Sequence, residues 1–160
     1  MIDDCKLVRM EEAHFDTLAE LEKICFSQPW SRQGLAEELN NPLACFVVAQ
    51  IERDGCSQAI GYAGMHCVAG ECYITNVAVF PDDRRQGVAA ALVQYLIDFA
   101  KKQNGEFISL EVRKSNRNAI ILYQRLGFET VGARINFYSA PTEDCLIMTL
   151  KFLNITLNNQ

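Results

Sequence analysis

The chain has 160 residues, enough to bury one substantial core and too few for two ordinary domains, so a single domain over 1–153 with a frayed polar tail at 154–160 is expected. A hydrophobic share of 49% against 22% charged, with no apolar run near the ~18 residues of a helical membrane span, is the composition of a soluble globular protein. The formal net charge of -5 argues against broad attraction to nucleic acid or an anionic membrane, and favours a cationic partner such as an amine or a basic peptide.

The start MIDDCKLVRMEE is acidic and lacks a secretory signal, which points to the cytoplasm. Seven cysteines, an odd number without a Cys-x-x-Cys pair, read as reduced and mostly buried thiols. His66, Cys67 and Cys72 fall on two strands of one hairpin with no fourth ligand at suitable spacing, so no metal site is expected.

In chain order, Lys6 to Met10 reads as a strand and Ala13 to Phe26 as a helix with Phe15, Leu18, Leu21 and Ile24 on its apolar face. Gln28, Pro29 and Trp30 interrupt it, and Ser31 caps a second helix that runs to about Leu39. Ala44 to Ile51, Ala59 to Val68 and Glu71 to Val79 form a three-strand meander, with turns at Asp54-Gly55 and Ala69-Gly70. A long helix from Gly87 to Asn104 follows, stopped by Gly105. Phe107 to Val112 is a strand, Asn118 to Leu126 a helix closed by Gly127, and Glu129 to Phe137 and Cys145 to Phe152 are the last strands.

The strand from Glu71, the long helix and the strand from Phe107 make one βαβ crossover, so those two strands should lie parallel and side by side. A ligand is expected outside their carboxyl ends. There the chain reads YITNVAVFPDDRRQGVAAAL, in which a strand delivers Arg84, Arg85 and Gly87 to the positive end of a helix. The pattern Arg84-x-x-Gly87-x-Ala89 resembles the acyl-CoA pyrophosphate loop of the GNAT superfamily of N-acetyltransferases. An ordinary helix start with a solvated basic turn would look the same in isolation.

Two side chains near this cleft are suited to proton transfer. Glu111, on the same strand face as Phe107 and Ser109, is either a strand-end partner of Arg113 or Lys114 or a general base facing the cleft; with an ordinary pKa of ~4.3 it would work through a relaying water. Tyr123 is in phase with Ala119, Leu122 and Leu126, as a core tyrosine would be, and its hydroxyl is also placed to protonate a departing thiolate. Asn116 either caps its helix or holds a pantetheine amide. Val77, Ala78 and Val79 would contribute backbone N–H groups where the strands part, or serve as plain core. Trp30 reads either as a staple between two helices or as a wall of an acceptor groove.

NVAVFPDDRRQGVAAAL, LEVRKSN, AIILYQRLGF and QPWS together resemble the ribosomal-protein-alanine N-acetyltransferase branch of the GNAT superfamily, from about Val8 to Phe152. The resemblance implies an α/β GNAT fold: a mixed sheet of about seven strands, four flanking helices and a splayed parallel pair. It implies acetyl-CoA as cosubstrate, held by Val77, Ala78, Val79, Arg85, Gln86, Gly87, Val88, Ala89, Ala90 and Asn116. Glu111 becomes the proton acceptor and Tyr123 the donor, and Trp30, Arg134 and Tyr138 border the acceptor. The implied acceptor is the N-terminal alanine of a ribosomal small-subunit protein, modified in the cytoplasm by a monomer without nucleic-acid or membrane contacts.

Three positions depart from the family: Ala89 where Gly is common, Ala90 where a basic residue is common, and Phe137 where Tyr is frequent. The alternatives are another protein N-terminus, a small amine as acceptor, or an acetyl-CoA sensor without turnover, which would need neither Glu111 nor Tyr123. Reference pKa values of about 7.8 and 10.4 make a neutral α-amine ~3.5 kcal/mol easier to prepare than a neutral lysine near pH 7, which favours a chain terminus.

Overall fold

The computed structural model describes residues 4–153, so the expected frayed tail lies outside the described residues. In chain order the elements are β1 (Lys6–Arg9), a 3₁₀ turn (Glu12–His14), α1 (Phe15–Cys25), α2 (Arg32–Leu39), β2 (Ala44–Arg53), β3 (Cys56–Val68) and β4 (Glu71–Val79). A second 3₁₀ turn (Pro81–Asp83), α3 (Val88–Lys102), β5 (Phe107–Arg113), α4 (Arg117–Arg125), β6 (Glu129–Tyr138) and β7 (Glu143–Lys151) follow. The seven strands form one mixed sheet in the order β1-β2-β3-β4-β5-β7-β6, in which only β4 and β5 run parallel.

Period-two alternation along β2 divides the core into two layers. Cys45, Val47 and Ala49 join the buried face under α3, with Leu92, Val93 and Leu96, while Phe46 and Val48 join Leu18, Leu21 and Leu35 of α1 and α2 on the other. Leu92 and Leu96 are fully removed from water, and each such leucine contributes about 2 kcal/mol.

In α1 the buried stripe is Phe15, Leu18, Leu21 and Glu22, and Ile24 is 55% exposed. The expected apolar face is therefore corrected: the stripe follows the i, i+3, i+4 positions, which bring a carboxylate inward and leave Ile24 in solvent.

The turn at Asp54 (φ 52°) and Gly55 (φ 77°) has both residues left-handed and pairs Arg53 with Cys56. Such a turn fixes register from its first pair, so β3 starts three residues before its apolar pattern does. At the end of α3 the left-handed residue is Asn104 (φ 57°), and Gly105 follows. A Cβ on Gly105 would stand 2.8 Å from the Ala100 carbonyl oxygen, so close approach is what calls for glycine there.

One irregularity shapes the centre of the sheet. Gly64 pairs with Asn76 and Met65 with Ile74, which leaves Thr75 as an extra, unpaired residue in β4. Period two would send Ile74, Asn76 and Ala78 to one face, yet Ile74 packs on the α3 side and Ala78 on the α1 side. β4 and β5 pair only at Glu71–Phe107, Cys72–Ile108 and Tyr73–Ser109, and the pairing stops just before Thr75. Beyond that point the two strands part into a fork.

Candidate active site

Each arm of the fork is held from its outer side. β4 stays paired with β3 as far as Val79, and β5 with β7 as far as Arg113. The Phe80 N–H donates to the Ile60 carbonyl on β3 at 2.9 Å. Strand amides alternate in direction, so the N–H groups of Val77 and Val79 point the other way, into the fork.

Beyond β4 the chain reaches α3 through Arg85 (φ 61°) and Gly87 (φ 82°), both left-handed. Gly87 is the N-cap and no side chain caps the helix. The first helical bond runs from Ala91 N–H to the Gly87 carbonyl at 3.0 Å, so the amides of Val88, Ala89 and Ala90 precede the ladder. Val88 is buried beneath them, whereas Ala89 and Ala90 are half-exposed and too small to cover the helix end.

Arg84 is spent differently from its neighbour. Its Nε donates to the Val79 carbonyl at 2.9 Å and its Nη2 to Cys25 Sγ at 3.3 Å, which staples the end of β4 to α1. Arg85 and Gln86 are exposed beside the helix start.

Glu111 lies on β5 opposite Ile147, exposed, on the strand face it shares with Ser109. Arg113 does not pair with it. Its guanidinium instead donates to the carbonyls of Pro141 (3.0 Å) and Ser139 (3.3 Å), meets Glu143 at 3.4 Å, and lies 4.4 Å from the Tyr138 ring centre. Glu143 also accepts from the Ser115 N–H and hydroxyl at 2.9 Å. The end of β5, the start of α4 and the β6–β7 loop are thus clamped together.

Tyr123 on α4 is 7% exposed and packs 5.7 Å from Phe128. Burial pushes its phenol pKa up, and the nearby Tyr138 hydroxyl adds to the effect, so it stays protonated at neutral pH. Burial likewise pushes Tyr138 up to about 12, with smaller contributions from Cys145 and Glu111. Tyr138 is thus the group that senses both Tyr123 and Glu111. Asn116 caps α4 through its side-chain oxygen, bonded to Ala119 N–H at 3.3 Å, which leaves its NH₂ to donate elsewhere.

Trp30 packs its ring 6.0 Å from Phe46, and its backbone N–H donates to Glu22 Oε2 at 3.1 Å. It is a staple on the α1 side of the core. Arg134 and Phe137 stack at 5.7 Å on the exposed part of β6. The two loops flanking the mouth touch each other: Gln28 Nε2 donates to Ser139 Oγ at 2.9 Å and Ser27 Oγ to the Ser139 carbonyl at 3.4 Å.

Sequence reasoning missed the buried group beneath this mouth. Glu22, 1% exposed, accepts through Oε1 from the Tyr62 hydroxyl and from Asn76 Nδ2 at 2.8 Å, and through Oε2 from Trp30. It ties the α1–α2 loop to the bulged part of β4. The signal was available: a glutamate at i+4 from Leu18 on an apolar helical stripe.

Residues 15–128 match the acetyltransferase (GNAT) family. The chain is 36% identical over 142 residues to the "Putative [ribosomal protein bS18]-alanine N-acetyltransferase" of Bacillus subtilis, covering 88% of this chain and 90% of that one. It is 34% identical over 143 residues to the "[Ribosomal protein bS18]-alanine N-acetyltransferase" of Escherichia coli, covering 88% and 93%. The crystal structure of the ribosomal-protein-S18-alanine N-acetyltransferase from Escherichia coli superposes with a TM-score of 0.82 at 29% identity, over 96% of this chain and 98% of that one. A sheet of seven strands forked at its one parallel pair, an uncapped α3 and these relatives agree: the chain belongs to the GNAT family of acetyltransferases.

Proposed function

We propose that the chain transfers an acetyl group from acetyl-CoA to the α-amine of the N-terminal alanine of ribosomal protein bS18. The observation that carries the chemistry is the fork between β4 and β5, with an uncapped helix start beside it. The choice of acceptor rests on the relatives that span nearly the whole chain.

The residues present suit acetyl-CoA, which supplies an activated acetyl thioester. Arg85, Gln86 and Gly87 with the amides of Val88, Ala89 and Ala90 form an electropositive, uncluttered cradle for a diphosphate. The free NH₂ of Asn116 and the backbone of Val77, Ala78 and Val79 would hold the pantetheine arm in the fork. The Val79 N–H is the donor for negative charge developing on the carbonyl oxygen, held in place before reaction because the next peptide group is anchored at both ends, by Phe80 N–H on Ile60 and by Arg84 on the Val79 carbonyl.

Glu111, exposed and not engaged by Arg113, accepts the proton of the incoming ammonium through a water. Tyr123, kept protonated by burial, gives its proton to the sulfur as the amine attacks directly. Arg134 and Tyr138 border the acceptor chain, with Trp30 bracing the loop beside it against the core. No group on the enzyme is acylated in this scheme.

The test is intact-mass analysis of a bS18 N-terminal peptide beginning with alanine, incubated with the protein and acetyl-CoA, beside free polyamines and amino acids. One acetyl group on the alanine nitrogen, placed by tandem spectra, is the expected result. Acetylated polyamine with an untouched peptide would overturn the acceptor assignment.

A further inference from the structure

Cys67 and Cys72 face each other across the β3–β4 hairpin, away from every group assigned a role in acetyl transfer. The turn between them, Ala69 (φ 50°) and Gly70 (φ 85°), joins the paired residues Val68 and Glu71. In such a two-residue hairpin the flanking pair exchanges hydrogen bonds, and the next pair out does not, so its side chains come closest. That next pair is Cys67 and Cys72. In keeping with this, the Cys67 N–H donates to the Leu43 carbonyl at 2.8 Å rather than across to Cys72.

The two sulfurs stand 2.6 Å apart. A crevice of about 280 Å³, walled by Leu43, Phe99 and Gly105 among others, is lined by both cysteines. Cys67 is half-buried and Cys72 buried, so one thiol meets small solutes first and the other waits behind it.

We infer that this pair is an oxidative modification site, at which a hydroperoxide forms a cross-strand disulfide. Cys67 sulfur attacks an oxygen of the hydroperoxide, the O–O bond breaks, and the departing oxygen leaves as water or alcohol with the thiol proton. Cys72 sulfur then attacks the resulting sulfenic sulfur and expels its hydroxyl, which takes the Cys72 proton and leaves as water. Two thiols and one hydroperoxide thus give one disulfide, one water and one water or alcohol. Burial holds both thiols above the ordinary thiol pKa, so the first step is slow beside that of an exposed thiolate, while contact between the sulfurs makes the second fast. Cys72 pairs with Ile108 at the closed end of the fork, so the bond straps that end without reaching Glu111 or Val79.

The experiment uses the full chain, reduced, desalted, treated with excess hydrogen peroxide, alkylated, and cut after arginine and after glutamate. Cleavage after Glu71 separates the two cysteines, so the expected product is the 54–71 peptide, which carries Cys56 and Cys67, joined to the Cys72 peptide, lighter by two hydrogens, restored by reductant, and linked through Cys67 in tandem spectra. Cys56, the exposed thiol on the same strand, should remain singly alkylatable. Cys67→Ser and Cys72→Ser should each abolish the linked product and Cys56→Ser should retain it. A link through Cys56, a sulfinic acid on Cys67 beside a free Cys72, or two free thiols after treatment would each overturn the site. The linked protein should melt higher than the reduced one at equal turnover, and equal melting would overturn the strapping role.

Discussion

The same two strands behave in opposite ways at their two ends. At the closed end β4 and β5 zip through three pairs, and the central pair, Cys72 and Ile108, is buried in the core under α3. Past Thr75 they share nothing, and one arm offers backbone amides while the other offers a carboxylate. One inserted residue separates these regimes, because a bulge turns the strand over and twists it away from its neighbour. A sheet can thus house a ligand slot without giving up the pairing that holds it together, provided each arm has another strand on its outer side.

Four substitutions probe how the open end divides its work among reactive side chains, buried support and backbone. Glu111→Gln should have the largest effect, a fall in kcat of about 10³-fold from loss of the general base, with the KM for acetyl-CoA unchanged in steady-state kinetics. Tyr123→Phe should lower kcat by about 10²-fold. Its pH profile carries a sign: burial raises this phenol's pKa, so the donor form persists and no alkaline fall in rate should come from it below about pH 10.

Glu22→Ala tests the support beneath the mouth. It strands donors from Tyr62, Asn76 and Trp30 in a buried site, and urea unfolding should show a loss of about 3 kcal/mol. Gly87→Ala should be the mildest. A left-handed residue at φ 82° resists a Cβ by about 1–2 kcal/mol, which predicts roughly a tenfold rise in the KM for acetyl-CoA with little change in kcat. Equal losses at Gly87 and Glu111 would erase the distinction between holding the diphosphate and moving the proton.

Much of this architecture was legible in the residues. The crossover, the helix start at Gly87 and the strand position of Glu111 follow from periodicity and turn chemistry, which are local. What escaped depends on contacts distant in sequence. Thr75 carries no mark of a bulge, since a β-branched residue suits a regular strand, and Asn76 beside it, a residue strands disfavour, does not say where the extra residue falls. Arg84 and Arg85 look alike in the chain, and only the carbonyl of Val79 and the sulfur of Cys25 draw the first one inward. The spacing of the three apolar residues before it predicts Ile24 inside, and the donors that bring Glu22 inward instead come from β3, β4 and the following loop.

The contacts from Ser27 and Gln28 to Ser139 lay a thin crossbar over the way in. Hydrogen bonds exposed to water are individually weak, so these two cost little to open. A free chain end can slip under such a rail, whereas a residue in the middle of a folded surface would have to bring both of its flanks along. Selection of termini over side chains can then begin at the threshold, before any proton is moved.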